Sequence, residues 1–252
     1  MMNMRLAAPA ELIDLNGLPG LADIRDTGEF IEAGALTRHF QLAGSERVRS
    51  RCSLLAHAAE TIGHYAIRQR GTLGGSLAHA DPTAQLPLIA VTLDAEIDIA
   101  SNRGKRTVRA ADFFLSIMTT VLEPDEVVVA VRFPSAVPGE GAAFRLFNRR
   151  RGDFAIVAVA ATMTVDNRCI AGLRIGVGGV GPIPIAYTEL CRQFVGQPAE
   201  ASRIRELAGA VRDATKPEDN PRIPAEYRRE LAQTLTERAL LRALGKAQRN
   251  AS

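Results

Sequence analysis

The chain has 252 residues, 46% of them hydrophobic and 23% charged, and its 31 basic against 28 acidic residues leave a net charge of +3. These proportions are those of an ordinary globular protein, and the length suits two domains. The pI near 9.0 comes from basic residues spread along the chain, and with no Trp and 5% aromatic residues there is no stacking platform for a nucleic acid. No apolar run approaches the roughly 18 residues of a membrane span, and the N-terminus lacks the layout of a secretory leader.

In chain order, residues 11–15 read as an apolar strand and Gly17, Pro19 and Gly20 as a turn. Residues 28–35 predict a second short strand, and the spacing of Leu54, Leu55, Ala58 and Ile62 predicts a helix over 51–63 stopped by Gly63. Then comes a glycine-rich run with Gly71, Gly74 and Gly75, followed by Asp81-Pro82, which reads as the start of a helix over 82–93. Pro87 would kink that helix unless it begins later. Ile97 and Ile99 alternate with Glu96 and Asp98 as in a half-buried strand, and residues 127–133 form another strand, ended by Pro134.

Residues 135–141 hold Pro138, Gly139 and Gly141 and read as a linker. Beyond it lie β-type runs at 144–147, 154–165 and 170–180, with Asp166-Asn-Arg168 as a hairpin turn. Helices are expected at about 186–195, 200–214 and 225–246. The whole reads as two α+β modules.

Few residues carry chemistry on their own. The glycines allow backbone N–H groups to approach an anion, but such a run is more often a turn, and it matches neither a P-loop nor a dinucleotide fingerprint. His79 and Asp81 are two apart, as an acid–base pair would be, but a loop histidine beside a cap is the commoner case. Cys52, Cys169 and Cys191 show no metal spacing and read as reduced, apolar-behaving thiols. Arg149-Arg-Arg151 reads first as a solvated run, and the basic helix after Tyr227 as one packed on its own sheet. Arg145 differs, because a charge between Phe144 and Leu146 in a β run needs a partner.

Taken together, the motifs resemble a family. Gly63-His-Tyr-Ala-Ile-Arg-Gln-Arg-Gly-Thr-Leu-Gly-Gly-Ser-Leu-Ala-His-Ala-Asp-Pro82 is similar to the second FAD-binding motif of the flavoprotein (medium) subunits of molybdenum hydroxylases, the aerobic carbon monoxide dehydrogenase and xanthine dehydrogenase family. Leu122-Glu-Pro-Asp-Glu126, Arg149-Arg-Arg-Gly-Asp-Phe-Ala-Ile-Val157, Gly176-Val-Gly-Gly-Val-Gly-Pro-Ile-Pro184 and Glu226-Tyr-Arg-Arg229 follow in that family's order. The resemblance implies an α+β fold: an FAD-binding domain of the vanillyl-alcohol oxidase (PCMH) type over 1–137, then a smaller α+β domain over 142–248 with a three-stranded antiparallel sheet and C-terminal helices.

It further implies that Thr72, Leu73, Gly74, Gly75 and Ser76 wrap the FAD pyrophosphate and ribityl chain, with Ile67 near the flavin and Asp81 on the cofactor side. Val127 or Val128 would touch the adenine side, and Arg145 would lie close to the flavin ring. The implied partners are an iron–sulphur small subunit and a molybdopterin-binding large subunit, as a dimer of heterotrimers, with the molybdenum cofactor and clusters on those partners. The implied place is the cytoplasm, with association to the inner face of the membrane as an option. The family's first FAD loop, of Gly-Gly-Gln-Ser type, has no counterpart here, so the chain is expected to start inside the family pattern and to bind FAD more weakly. Gln85 and Ala66 also depart from the pattern. A flavin-free scaffold subunit is the alternative expectation.

Overall fold

The structure is a computed structural model, and it describes residues 2–250. After an irregular N-terminal segment come β1 (Ile24–Asp26), β2 (Phe30–Gly34), α1 (His39–Gly44), α2 (Glu46–Arg51), α3 (Ser53–Glu60), α4 (Tyr65–Arg70), α5 (Leu73–His79) and α6 (Gln85–Leu93). They are followed by β3 (Glu96–Ser101), β4 (Gly104–Arg109), α7 (Ala110–Phe113), β5 (Phe114–Ser116), β6 (Thr119–Thr120) and β7 (Val127–Pro134). The second half holds β8 (Gly141–Phe147), β9 (Val157–Asp166), β10 (Cys169–Gly178), β11 (Ile185–Ala186), α8 (Thr188–Phe194), α9 (Ala201–Ala214) and α10 (Ala225–Asn250).

Two antiparallel sheets organise these elements. The first has the order β1-β2-β7-β3-β4 and the second β11-β10-β9-β8. The three long strands of the second sheet are those expected, and the two-residue β11 adds a short edge. Strand alternation sets the faces: Ile97 and Ile99 point into the core, while Asp98 turns outward to Arg132 (2.8 Å) and to the Thr107 hydroxyl (2.6 Å).

Helix α6 lies between the sheets, touching β9, β10 and β11 of the second and β7 of the first, and α3 packs on α6 and β8. Every residue of α6 is buried, as a helix covered on all sides requires. Ala142, Phe144, Ala158 and Ala160 of the second sheet therefore join Ile31, Ile97 and Phe133 of the first in one core. A separate core fills the space between the second sheet and helices α8, α9 and α10. The 135–141 stretch is pinned at one end, where the Ala136 N–H donates to the Arg51 carbonyl at 2.6 Å.

Three sequence expectations need correction. Residues 11–15 form no strand: among the described residues nothing pairs with them, and Leu12 and Ile13 are 70% and 78% exposed. The helix expected over 51–63 forms as α3 but is shorter: Cys52 (φ −149°, ψ 60°) separates it from α2, and it ends at Glu60. The helix expected from Asp81 begins only at Gln85, which puts Pro87 in the first turn, where its missing N–H costs nothing. The Asp166-Asn-Arg168 hairpin forms as expected, with Asn167 and Arg168 both at positive φ.

A candidate cofactor cleft

The glycine-rich run folds as a helix rather than an open loop. Thr72 caps α5 by accepting from the Gly75 N–H at 3.1 Å, and Ser76 N–H donates to the Thr72 carbonyl at 3.0 Å. Leu73 N–H donates to Thr37 O (2.9 Å) and Gly74 N–H to Ala35 O (2.8 Å). All four N–H groups of residues 73–76 are thus satisfied inside the chain, and the run is not the N–H anion cradle its composition suggests. Gly74 is fixed by packing, since a Cβ there would sit 2.5 Å from the Ala35 Cβ. What the run presents outward is the bare surface of Gly75 and the half-exposed Thr72 and Ser76; the Ser76 hydroxyl has no partner among the described residues.

Beneath the run, Gly71 lies against the His39 imidazole, whose Nε2 is 3.1 Å from the Thr72 carbonyl and whose buried Nδ1 has no partner. Burial first, then the Arg38 and Arg68 charges, lower its pKa despite the opposing Thr72 contact. A lowered imidazole pKa means the neutral form is the folded form. Its contribution to stability is whole above the ordinary value near 6.5 and is lost as the pH falls below it. Denaturant unfolding should therefore show lower stability at about pH 5.5 than at about pH 7.5, and His39→Gln should reduce that difference.

Asp81 holds a turn rather than a helix. Its Oδ1 accepts from the Thr83 N–H (2.8 Å) and hydroxyl (2.6 Å). The carbonyl of Pro82 then accepts from the Gly179 N–H at 3.0 Å, tying this turn to the end of β10. Gly179 sits at φ +82°, and a Cβ there would overlap the Ile156 carbonyl. Arg228 of α10 donates to the Gly179 carbonyl at 3.3 Å and to the Glu218 carbonyl.

These contacts build a cleft of 820 Å³ whose wall includes His64, Ile67, Thr83, Phe154, Gly179 and Arg228. Arg149, Asp153 and Arg222 add charge to it. A second hollow of 600 Å³, walled by His57, Tyr65, Arg68 and Arg151, adjoins it through His64 and Gly152.

The predicted site residues fall into three places. Ile67, half exposed on α4, lines the cleft, and Asp81 orders the Thr83 that lines it. Thr72, Gly75 and Ser76 lie at the start of α5, while Leu73 and Gly74 are buried and act through position alone. Val127 and Val128 belong near this second group: Val129 O accepts from Ala35 N–H, and Ala35 O from Gly74 N–H. Of the two valines, Val127 offers surface and Val128 turns inward. Arg145 lies apart from the cleft lining, on the edge strand β8; its Nη1 donates to the Phe144 carbonyl at 3.0 Å. The sequence did not point to Thr83 or Arg222, which carry no local signal. No group of His, Cys, Asp and Glu that could hold a metal occurs among the described residues.

Comparison with known proteins agrees with this architecture. Residues 1–136 match the model for the FAD binding domain in molybdopterin dehydrogenase, and residues 142–243 that for the CO dehydrogenase flavoprotein C-terminal domain. The chain is 36% identical to the 6-hydroxypseudooxynicotine dehydrogenase complex subunit alpha of Paenarthrobacter nicotinovorans, over 98% of this chain and 84% of that one. It is 32% identical to the carbon monoxide dehydrogenase medium chain of Hydrogenophaga pseudoflava, over 95% of this chain and 84% of the relative. A solved carbon monoxide dehydrogenase from H. pseudoflava superposes with a TM-score of 0.93 at 32% identity, covering 98% of this chain and 86% of that one. Quinoline 2-oxidoreductase from Pseudomonas putida 86 gives 0.91 at 32% identity, covering 97% and 85%.

Proposed function

Because the chain belongs to the family of FAD-binding subunits of molybdopterin dehydrogenases, we propose that it is the electron-transfer flavoprotein subunit of a molybdenum-containing dehydrogenase complex. Electrons would reach it from iron–sulphur clusters on a small partner subunit, and originate at the molybdenum cofactor of a large one. The assembly would be a dimer of heterotrimers. Residues 1–137 would bind FAD and residues 142–248 would close the site. When bound, FAD supplies reversible redox chemistry by one- or two-electron steps.

The observation that carries this reading is the convergence on one cleft of motifs spread from residue 67 to residue 228: Ile67, the Asp81–Thr83 turn, Phe154, Gly179 and Arg228. Its volume falls within the roughly 300–1,000 Å³ of small-molecule and cofactor sites. Ile67 and Phe154 give apolar walls of the kind a flat ring system packs on. The hydroxyls of Thr72 and Ser76 and the bare face of Gly75 suit a polyol chain. Val127 would meet the adenine side. No side chain is required as acid, base or nucleophile. Arg145 would act through its field by stabilising negative charge, so Arg145→Ala should make the flavin harder to reduce. An unchanged potential in a flavin-loaded variant removes Arg145 from the site.

One observation favours the second reading, a flavin-free scaffold subunit: the N–H groups of residues 73–76 are all spent within the chain and leave no backbone donors for a diphosphate there. Purification of the complex separates the two. Visible flavin absorbance that bleaches when the reducing substrate is added supports electron transfer; a colourless chain that still assembles supports the scaffold.

A further inference from the structure

Helix α10 carries cations that its own fold leaves unpaired. Arg238 and Arg242 are exposed, four residues apart and on one face, with the exposed Leu241 beside them. Lys246 continues the row one turn on, at the margin next to β8, and its Nζ donates to the Ala142 carbonyl at 2.7 Å. On β8, Phe144 beside Arg145 meets the His57 ring of α3 edge-on at 6.4 Å; Arg145, Arg238, Arg242 and Lys246 make no ion pair among the described residues. Burial, then the Arg242 and Arg145 charges, lower the Lys246 pKa; burial, then Lys246 and Arg145, do the same to His57. Acids border the group too: the Glu140 carbonyl, just before β8, accepts from Asn250 of α10 at 3.2 Å. Glu60 of α3 opposes the shift at His57, and Glu237 of α10 faces Arg205 at 3.9 Å on the flank toward α9.

Like charges held together on a rigid frame cost the isolated chain free energy, and an opposing negative surface relieves that cost. We propose that the outer face of α10, centred on Arg238, Leu241 and Arg242 and flanked by Lys246, docks an acidic surface of another chain of the same complex. The inference rests on the reading that this chain works within such a complex. A protein partner fits better than a polyanionic strand or lipid, because the row encloses an apolar residue and has no aromatic side chain among its cations.

The test uses the full chain co-expressed with its iron–sulphur and molybdopterin-binding partner chains. R238E/R242E should weaken assembly at least tenfold, with the melting temperature and flavin content unchanged. R238K/R242K should assemble as wild type does, and wild-type assembly should weaken with added salt. Charge-reversed protein that assembles as tightly as wild type overturns the docking face and leaves the complex standing. Wild type that fails to assemble overturns both readings. Wild-type binding to random-sequence duplex DNA or to phosphatidylserine vesicles that the reversal abolishes, with assembly intact, overturns the protein partner.

Discussion

Replacing Gly179 by Ala should lower the stability of the folded chain by about 2–5 kcal/mol and abolish flavin retention. Two costs add. Gly179 sits at φ +82°, where an L residue pays roughly 1–2 kcal/mol. Its new Cβ would also overlap the Ile156 carbonyl and lie 3.1 Å from the Ile156 carbonyl carbon, and overpacking of this kind costs about 1–3 kcal/mol. Relief requires moving Gly179 away from Pro82 and Arg228, which opens the cleft. At this chain length the loss corresponds to a drop of roughly 4–20 °C in melting temperature. Gly196→Ala is the control. Its φ is +85°, with nothing within 4 Å of the new Cβ, so it should show the backbone cost alone and keep its flavin.

Two substitutions one residue apart should separate fold from cofactor. Gly74→Ala places a Cβ 2.5 Å from the Ala35 Cβ and 3.1 Å from the Ala35 carbonyl oxygen, at the point where α5 hydrogen-bonds to the end of β2. It should cost about 1–3 kcal/mol of stability. Gly75→Val adds a side chain on an exposed surface, where the nearest obstacle is the Thr72 hydroxyl at 2.7 Å. Its stability cost should stay near the roughly 1 kcal/mol of a helix cap. Its FAD affinity should fall more than about tenfold, or about 1.4 kcal/mol. Urea denaturation and FAD titration of both variants check the split. Equal FAD affinity in Gly75→Val and wild type would remove the start of α5 from the cofactor surface.

Local pattern made much of the fold legible. The positive-φ hairpin at Asn167-Arg168, the alternation of β3 and the three C-terminal helices were all readable, because each depends on neighbours within a turn or a strand. The strand expected over 11–15 failed for a different reason: apolar alternation makes a strand only where a partner backbone lies alongside. The glycine run misled because glycine serves two purposes. Composition suggests N–H groups turned to a ligand; in the structure Gly74 allows α5 to close on Ala35, and the N–H groups bond inward. Asp81-Pro82 has the signature of a helix start, a cap followed by proline, but the same pair also closes a turn.

The cleft was legible only as a set of motifs in order. What joins them is a hydrogen bond from Gly179 to Pro82 and one from Arg228 to Gly179, and spacing along the chain gives no sign of either.

The central claim is that FAD occupies the cleft between α4, the Asp81–Thr83 turn and the loop after β10. Hydrogen exchange on the full chain, with and without saturating FAD, addresses it directly. The account predicts saturable binding with slowed exchange at the amides of Ile67, Thr83, Phe154 and Gly179. Saturable binding that leaves those four amides unchanged, or no binding at all, would contradict it.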